Sequence, residues 1–122
     1  MTLPDVCPNT EMGGENEGKF DFSMVAGEFI DVYGSKAKEW HCLVTCFFID
    51  TAHNVLDYMA TINNILKVGG IWVNIGPLQW HYSEQFGETQ IELSWEEIRK
   101  LLPQFGFEIR KINWRKCNYT MR

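Results

Sequence analysis

The sequence predicts one α/β domain built on a mostly parallel sheet. Three consecutive segments carry this prediction: an apolar run over residues 42–49, apolar side chains at helical spacing over 55–66, and a second apolar run, IWVNIG, over 71–76. Parallel strands that are buried on both faces have continuous apolar sequences. Strand, helix and strand in this order form one βαβ unit, and such units have right-handed crossovers.

The residues before this unit change character near Phe20. Residues 1–19 are polar and contain several prolines and glycines, which predicts a loop or flexible lead-in. Residues 22–26 predict a short strand that ends at Glu28 and Phe29. The mixed composition of residues 30–40 predicts a loop or a short helix.

The residues after the helix contain clear stop signals. Gly69 and Gly70 are expected to end that helix, because glycine adopts the left-handed conformation without steric cost. Residues 76–93 form a connection of a length that is uncommon in compact domains unless it is functional. This segment is called the connection below.

A second helix follows the connection. Ser94 and Glu97 have the spacing of a capping box, Pro103 is expected to shorten the helix, and Gly106 to end it. Residues 107–112 predict a last strand, which gives a domain over 20–112 and leaves 113–122 as an unassigned tail.

Composition excludes several classes of function. A chain of 122 residues is large enough for one core, and its net charge of −5 argues against a nucleic-acid-binding surface. Its apolar runs are far shorter than the roughly 18 residues of a membrane helix. We therefore expect no nucleic acid and no membrane as partners.

The cysteines indicate a reducing, cytoplasmic setting. Cys7, Cys42, Cys46 and Cys117 form no C-x-x-C pair and no cluster with zinc spacing, so no metal site is predicted. Cys42 and Cys46 lie in the first apolar run, where we expect them to be small buried hydrophobic residues.

Polar residues follow the first apolar run abruptly, in the sequence IDTAHN. Ligands of open parallel sheets bind beyond the carboxyl ends of the strands, where Asp50 and residues 51–54 are predicted to lie. Asn74 and Gly76 end the neighbouring strand and are expected beside them. Two structural roles remain open: Asp50 or Thr51 as the helix N-cap, and Asn74 as a partner of a neighbouring backbone group.

Four segments resemble the C-terminal half of carnosine N-methyltransferases over residues 20–109: FDFSMVAGEF, WHCLVTCFFIDTAHNVLDY, ILKVGGIWVNIGPL and IELSWEEIRKLLPQFGF. CFFIDTAHN is the most specific piece, whereas LKVGGIWVN has counterparts in many methyltransferases. The resemblance implies a Rossmann-like class I fold and an enzyme dependent on S-adenosyl-L-methionine. Its substrates would be carnosine, converted to anserine, and related dipeptides that contain histidine.

The resemblance also assigns site residues. It places Glu28 and Phe29 beside the adenine of the cofactor and Cys46 near the cofactor, although the family more often has Asp at position 28. It matches a carnosine-binding stretch to Asp50, Thr51, Ala52, His53 and Asn54. His81 falls in a second segment that contacts substrate.

Asp50 is the candidate catalytic residue. An imidazole nitrogen needs a free lone pair to attack a methyl group, so the ring must be the correct neutral tautomer. A carboxylate that accepts a hydrogen bond from the other ring N–H stabilises this tautomer and the positive charge that forms. His53 at the start of a helix is also compatible with a surface role.

Two elements of a class I methyltransferase do not appear in the sequence. These are a glycine-rich turn after a first strand and an acidic residue on a second strand, which the family carries upstream of the matching region. We therefore expect a fragment or truncated isoform that is inactive alone. The alternatives are a non-catalytic α/β interaction protein and another α/β enzyme such as a dehydrogenase. The resemblance further implies a homodimer for the full-length enzyme, in the cytoplasm and also the nucleus.

Overall fold

The computed structural model describes residues 22–83, 85–87 and 89–116. The predictions for residues 1–19 and for most of the tail therefore lie outside the described residues. The elements in chain order are helix α1, strand β1, helix α2, strand β2 and helix α3, which span Phe29–Tyr33, Trp40–Cys46, Val55–Ile65, Leu66–Ile75 and Trp95–Leu101. Short 3₁₀ turns follow β1 at Ile49–Thr51 and follow α3 at Leu102–Phe105.

Strands β1 and β2 pair in parallel, with α2 as the crossover between them. The predicted βαβ unit and the parallel sheet are therefore confirmed. Within the described residues the sheet has two strands. This is an α/β arrangement consistent with part of a methyltransferase fold.

Helix α2 supplies the centre of the core. Its side chains at helical spacing are almost completely buried: Val55, Met59, Ile62 and Ile65. Burial of each such side chain stabilises the fold by about 1.5–3 kcal/mol. Val55 and Met59 pack towards α3, whereas Ile62 and Ile65 pack towards β1 and α1. One helix therefore joins the sheet to the C-terminal helix.

The crossover from α2 to β2 is tighter than predicted. The helix ends at Ile65 and Leu66 already pairs with Trp40, after which the register jumps to Cys42 paired with Ile71. Residues 67–70 therefore bulge out of the ladder, and Gly69 has the expected left-handed backbone, with a φ of 78°.

The predicted strands over residues 22–26 and 107–112 are wrong. A strand needs a partner for its backbone N–H and C=O groups, and neither segment joins the ladder of β1 and β2. Met24 and Val25 are exposed. Phe107 and Ile109 contribute side chains to the core without strand pairing. The expected short helix within residues 30–40 is confirmed by α1, although it begins at Phe29.

The prediction that β1 is buried on both faces is also wrong. Side chains alternate across a sheet, and α2 packs against the face that carries Leu43 and Trp72. The opposite face, called the exposed sheet face, is formed by three register pairs: Cys42 with Ile71, Val44 with Val73, and Cys46 with Ile75. All six residues are exposed, including both cysteines that were expected to be buried.

Helix α3 has the predicted boundaries. The Ser94 hydroxyl accepts a hydrogen bond from the Glu97 amide, and the Glu97 carboxylate accepts one from the Ser94 amide, so the capping box is confirmed. Pro103 lies in the 3₁₀ turn, and Gly106 ends it with a φ of 80°. Over the described ranges, every helix is too short or too polar to cross a membrane.

Candidate active site at the carboxyl end of the sheet

The two strands end side by side and then diverge sharply. The Phe47 amide donates a 2.7 Å hydrogen bond to the Ile75 carbonyl, which extends the ladder by one residue beyond β1. Phe47 has a positive φ of 51° and turns the chain into the 3₁₀ turn. Gly76 passes so close that a Cβ atom there would lie 3.0 Å from Phe47 backbone atoms. This close approach, and a φ of 147°, require glycine at position 76.

Asp50 lies in the 3₁₀ turn that follows the end of β1, and it is only 1% exposed. Its Oδ2 accepts a 3.0 Å hydrogen bond from the Gln79 amide, and its carbonyl accepts a 3.1 Å bond from the His81 amide. Oδ1 is also buried, but it has no hydrogen-bond partner among the described residues. An unsatisfied buried carboxylate oxygen is costly and is a feature of functional sites.

The alternative role of Asp50 or Thr51 as the helix N-cap is wrong. Asn54 caps α2, and its Oδ1 accepts a 3.0 Å bond from the Leu56 amide. The Thr51 hydroxyl instead donates a 2.7 Å bond to the Phe48 carbonyl within the turn. Asp50 is therefore buried without a capping role to account for it.

The other predicted substrate residues differ in exposure. Ala52 is almost fully buried, whereas His53 is exposed and precedes the N-cap residue, so it lies outside the first helical turn. The His53 ring stacks on Tyr82 with 3.7 Å between ring centroids, and its Nδ1 lies 3.3 Å from the Thr89 carbonyl. The His81 side chain is exposed, and its backbone holds it beside Asp50.

Gln90 was not predicted as a site residue, yet it connects the two halves of the site. Its Nε2 donates to the carbonyls of Ala52 (2.6 Å) and Asp50 (3.3 Å), and its Oε1 accepts from the Tyr82 amide (3.0 Å). No local pattern marks a single glutamine in a polar connection. Its position in a long connection was the only available signal.

A cavity of about 300 Å³ lies on the side of β1 next to α1. Phe29 and Cys46, two of the predicted cofactor residues, both line it, together with Trp40 and Phe48. The Glu28 carboxylate lies at the adjacent end of α1, where its Oε2 accepts hydrogen bonds from two backbone amides as the N-cap. The structure therefore brings Glu28, Phe29 and Cys46 together.

An aromatic cluster forms part of the cavity lining, and its member Phe48 directly precedes the 3₁₀ turn that holds Asp50. Phe48 stacks on Tyr58 with centroids 5.0 Å apart, and Phe29 meets both rings edge to face. Burial raises the pKa of the Tyr58 phenol, and a hydrogen bond with the Thr51 side chain partly opposes this rise. The charge of Glu28 also raises the pKa of Tyr58.

Asn74 belongs to a polar network inside the sheet. The Thr45 hydroxyl donates a 2.8 Å bond to Asn74 Oδ1 and accepts a 2.9 Å bond from the Trp72 indole N–H. Asn74 is exposed on β2 and hydrogen-bonds the Thr45 side chain, whereas a backbone partner was expected; this cross-strand bond accounts for the polar residue by sheet structure. In the part of the chain that the structure describes, no three His, Cys, Asp or Glu side chains form a metal-binding cluster.

Comparison with known proteins identifies the family of the chain. The family model for carnosine N-methyltransferase matches residues 1–122. The chain belongs to the carnosine N-methyltransferase family. It is 50% identical to the Mus musculus carnosine N-methyltransferase over 109 residues, which cover 89% of the chain.

More distant members of the carnosine N-methyltransferase family match over similar lengths. The Drosophila melanogaster carnosine N-methyltransferase unmet is 44% identical over 91% of the chain, and the Schizosaccharomyces pombe enzyme is 36% identical over 93%. The matches cover 26%, 23% and 32% of the mouse, fly and yeast proteins. The chain thus spans about a quarter to a third of the relatives it matches, and the resemblance inferred from CFFIDTAHN is confirmed.

Proposed function

We propose that this chain carries the substrate-binding turn and part of the cofactor pocket of an S-adenosyl-L-methionine-dependent N-methyltransferase that acts on the imidazole of carnosine. The observation that carries the proposal is the Asp50 carboxylate. One oxygen is held by the Gln79 amide, and the other is buried without a hydrogen-bond partner in the described ranges. In a family of carnosine N-methyltransferases, an imidazole N–H is a fitting donor for this oxygen.

Asp50 orients the substrate ring in this proposal. Its Oδ1 accepts the hydrogen bond of one imidazole N–H, which leaves the lone pair of the other nitrogen free to attack. The carboxylate also stabilises the positive charge that the ring gains on alkylation. Oδ1 is buried, so the atoms that cover it have to move for the substrate ring to reach it. Positioning of the nitrogen supplies most of the rate.

The cavity beside α1 is suited to the adenine end of the methyl donor. Four of its nine lining residues are aromatic, and about 300 Å³ is enough for a flat heteroaromatic ring. When bound, S-adenosyl-L-methionine supplies an electrophilic methyl group on a sulfonium sulfur. Phe29 and Cys46 would hold the ring, and Glu28 lies next to Phe29 at the start of α1.

The 122-residue chain by itself is expected to bind this donor weakly and to show no turnover. Within residues 22–83, 85–87 and 89–116 no glycine-rich turn follows a strand, and backbone amides in such a turn usually hold the amino-acid end of the donor. The exposed sheet face also leaves apolar area in contact with water. Tight donor binding by the purified chain would overturn this expectation.

A methyl-transfer assay on the full-length protein that contains this chain tests the proposal. Carnosine and labelled S-adenosyl-L-methionine are incubated with the wild-type protein and with Asp50→Ala, and the methylated nitrogen is identified by NMR. We expect methylated imidazole from the wild type and a loss of at least about 100-fold in the variant. Turnover in Asp50→Ala equal to that of the wild type would contradict the role of Asp50. If the wild type gives no methylated product, the assignment of carnosine as the substrate is wrong.

A further inference from the structure

We propose that Gln90 is a positioning residue that aligns the connection with the Asp50 turn and thereby sets the affinity for the carnosine-like substrate. The inference rests on the proposed function, because it concerns the same site. Gln90 lies forty residues after Asp50 in the sequence, yet its half-buried side chain bonds to both segments.

The amide end of Gln90 uses both of its polar atoms. Nε2 donates to two carbonyls of the same 3₁₀ turn and its C-cap, those of Ala52 and Asp50, at distances of 2.6 and 3.3 Å. Oε1 accepts the Tyr82 amide at 3.0 Å. A glutamine can donate and accept at the same time, whereas a carboxylate or an apolar side chain of similar length cannot make both kinds of bond.

The bonds of Gln90 complement those made by its neighbours. The His81 amide donates a hydrogen bond to the Asp50 carbonyl, and the Ile91 amide donates a 2.9 Å hydrogen bond to the His53 carbonyl. These two backbone contacts lie on either side of the Gln90 side chain and run between the same segments. Together they make a short ladder between the connection and residues 50–53, in which Gln90 supplies the side-chain bridge.

This ladder fixes the positions of the candidate substrate-binding residues. Gln90 bonds directly to two candidate substrate residues, Asp50 and Tyr82. The other two, His53 and His81, directly follow or precede residues that bond to Gln90. Gln90 bonds to Asp50, Ala52 and Tyr82 and does not line the cavity beside α1, which Phe29 and Cys46 do. Loss of its bonds should therefore displace the substrate groups and leave the donor pocket unchanged.

The test uses the full-length protein with Gln90→Met, which keeps the length of the side chain and removes its hydrogen bonds. We expect KM for carnosine to rise about tenfold while the Kd for S-adenosyl-L-methionine stays within twofold. Hydrogen exchange of the Tyr82 amide should become faster, which reports the lost bond independently of activity. Gln104→Met, the same change at an exposed residue of the 3₁₀ turn after α3, is the matched control and should match the wild type.

A second variant keeps the inference testable if Gln90→Met does not fold. Gln90→Glu retains an acceptor for the Tyr82 amide and places an acceptor against the Ala52 and Asp50 carbonyls, so it should raise KM for carnosine as well. Equal weakening of donor and substrate binding would show a general structural role and overturn the inference, as would an unchanged KM. If the wild type methylates no carnosine, the proposed function fails. If the wild type methylates carnosine and the Gln90 variants have the same KM, only the inference about Gln90 is overturned.

Discussion

The Gln79 backbone amide donates a 3.0 Å hydrogen bond to Oδ2 of Asp50, across twenty-nine residues of sequence. This contact holds the beginning of the connection over the end of β1 and orients one oxygen of a carboxylate that is 1% exposed. The second oxygen, Oδ1, is thereby held in place without a hydrogen-bond partner in the described part of the chain.

Asp50→Asn in the full-length protein should lower kcat/KM for carnosine by about 100-fold or more. The amide keeps the volume of the carboxylate but removes the charge that stabilises the alkylated ring. It also replaces one of the two acceptor oxygens by an NH₂ group, which is a donor. Steady-state kinetics with carnosine as the varied substrate measures the effect. Glu108→Gln, which neutralises an exposed carboxylate after the 3₁₀ turn that follows α3, is the control and should retain activity. Equal kcat/KM for Asp50→Asn and the wild type would refute the catalytic role.

Phe29→Leu should weaken binding of S-adenosyl-L-methionine by about tenfold, because leucine lacks the flat face that an adenine ring packs against. Phe29 lines the cavity and contacts the rings of Phe48 and Tyr58. Isothermal titration of the full-length protein with the donor measures Kd. Phe86→Leu makes the same change at a fully exposed position in the connection and should bind the donor normally. A normal Kd for Phe29→Leu would place the adenine elsewhere.

Glu97→Ala should destabilise the chain more at neutral pH than at acid pH. The Ser94 amide, and then the Ser94 hydroxyl, donate hydrogen bonds to the Glu97 carboxylate and hold the pKa of Glu97 below its ordinary value of 4.5. A carboxyl with a lowered pKa in the folded state contributes stability that is present above its ordinary pKa. This contribution is lost as the pH falls through the folded-state pKa.

Urea unfolding of the wild type and Glu97→Ala, at neutral pH and well below the ordinary pKa of glutamate, tests this dependence. The difference in unfolding free energy between the two proteins should shrink in acid. Glu96→Ala, at the neighbouring exposed position outside the capping box, controls for the general loss of one negative charge near the helix N-terminus. A difference that is independent of pH would contradict the role of the ionised Glu97 in the cap.

Val44→Glu should reduce self-association of the purified 122-residue chain. Val44 is 62% exposed at the centre of the exposed sheet face, where it pairs with Val73. A charge at this position makes burial of the face between two molecules costly. Sedimentation velocity over a range of concentrations measures the association. Val68→Glu, which alters a 96% exposed valine in the bulge outside this face, should leave self-association as it is in the wild type.

The features that were predicted correctly depend on short-range sequence patterns. The spacing of Val55, Met59 and Ile62 is sufficient to define α2, because one face of a helix repeats within a single turn. The capping box of Ser94 and Glu97 closes within four residues. The polar residues of IDTAHN follow a strand, and their place at the end of a parallel strand follows from the βαβ order alone.

The features that were not predicted depend on contacts between distant residues. Residues 22–26 have the composition of a strand but make no ladder pairing with β1 or β2, and the apolar run of β1 is covered by α2 on one face only. The sequence by itself determined α2, α3, the βαβ unit and the position of Asp50 after β1, since propensity and periodicity act locally. Only the tertiary structure decided that Gln79 and Gln90 bind that turn, because hydrogen bonds across about thirty to forty residues depend on how the whole connection packs.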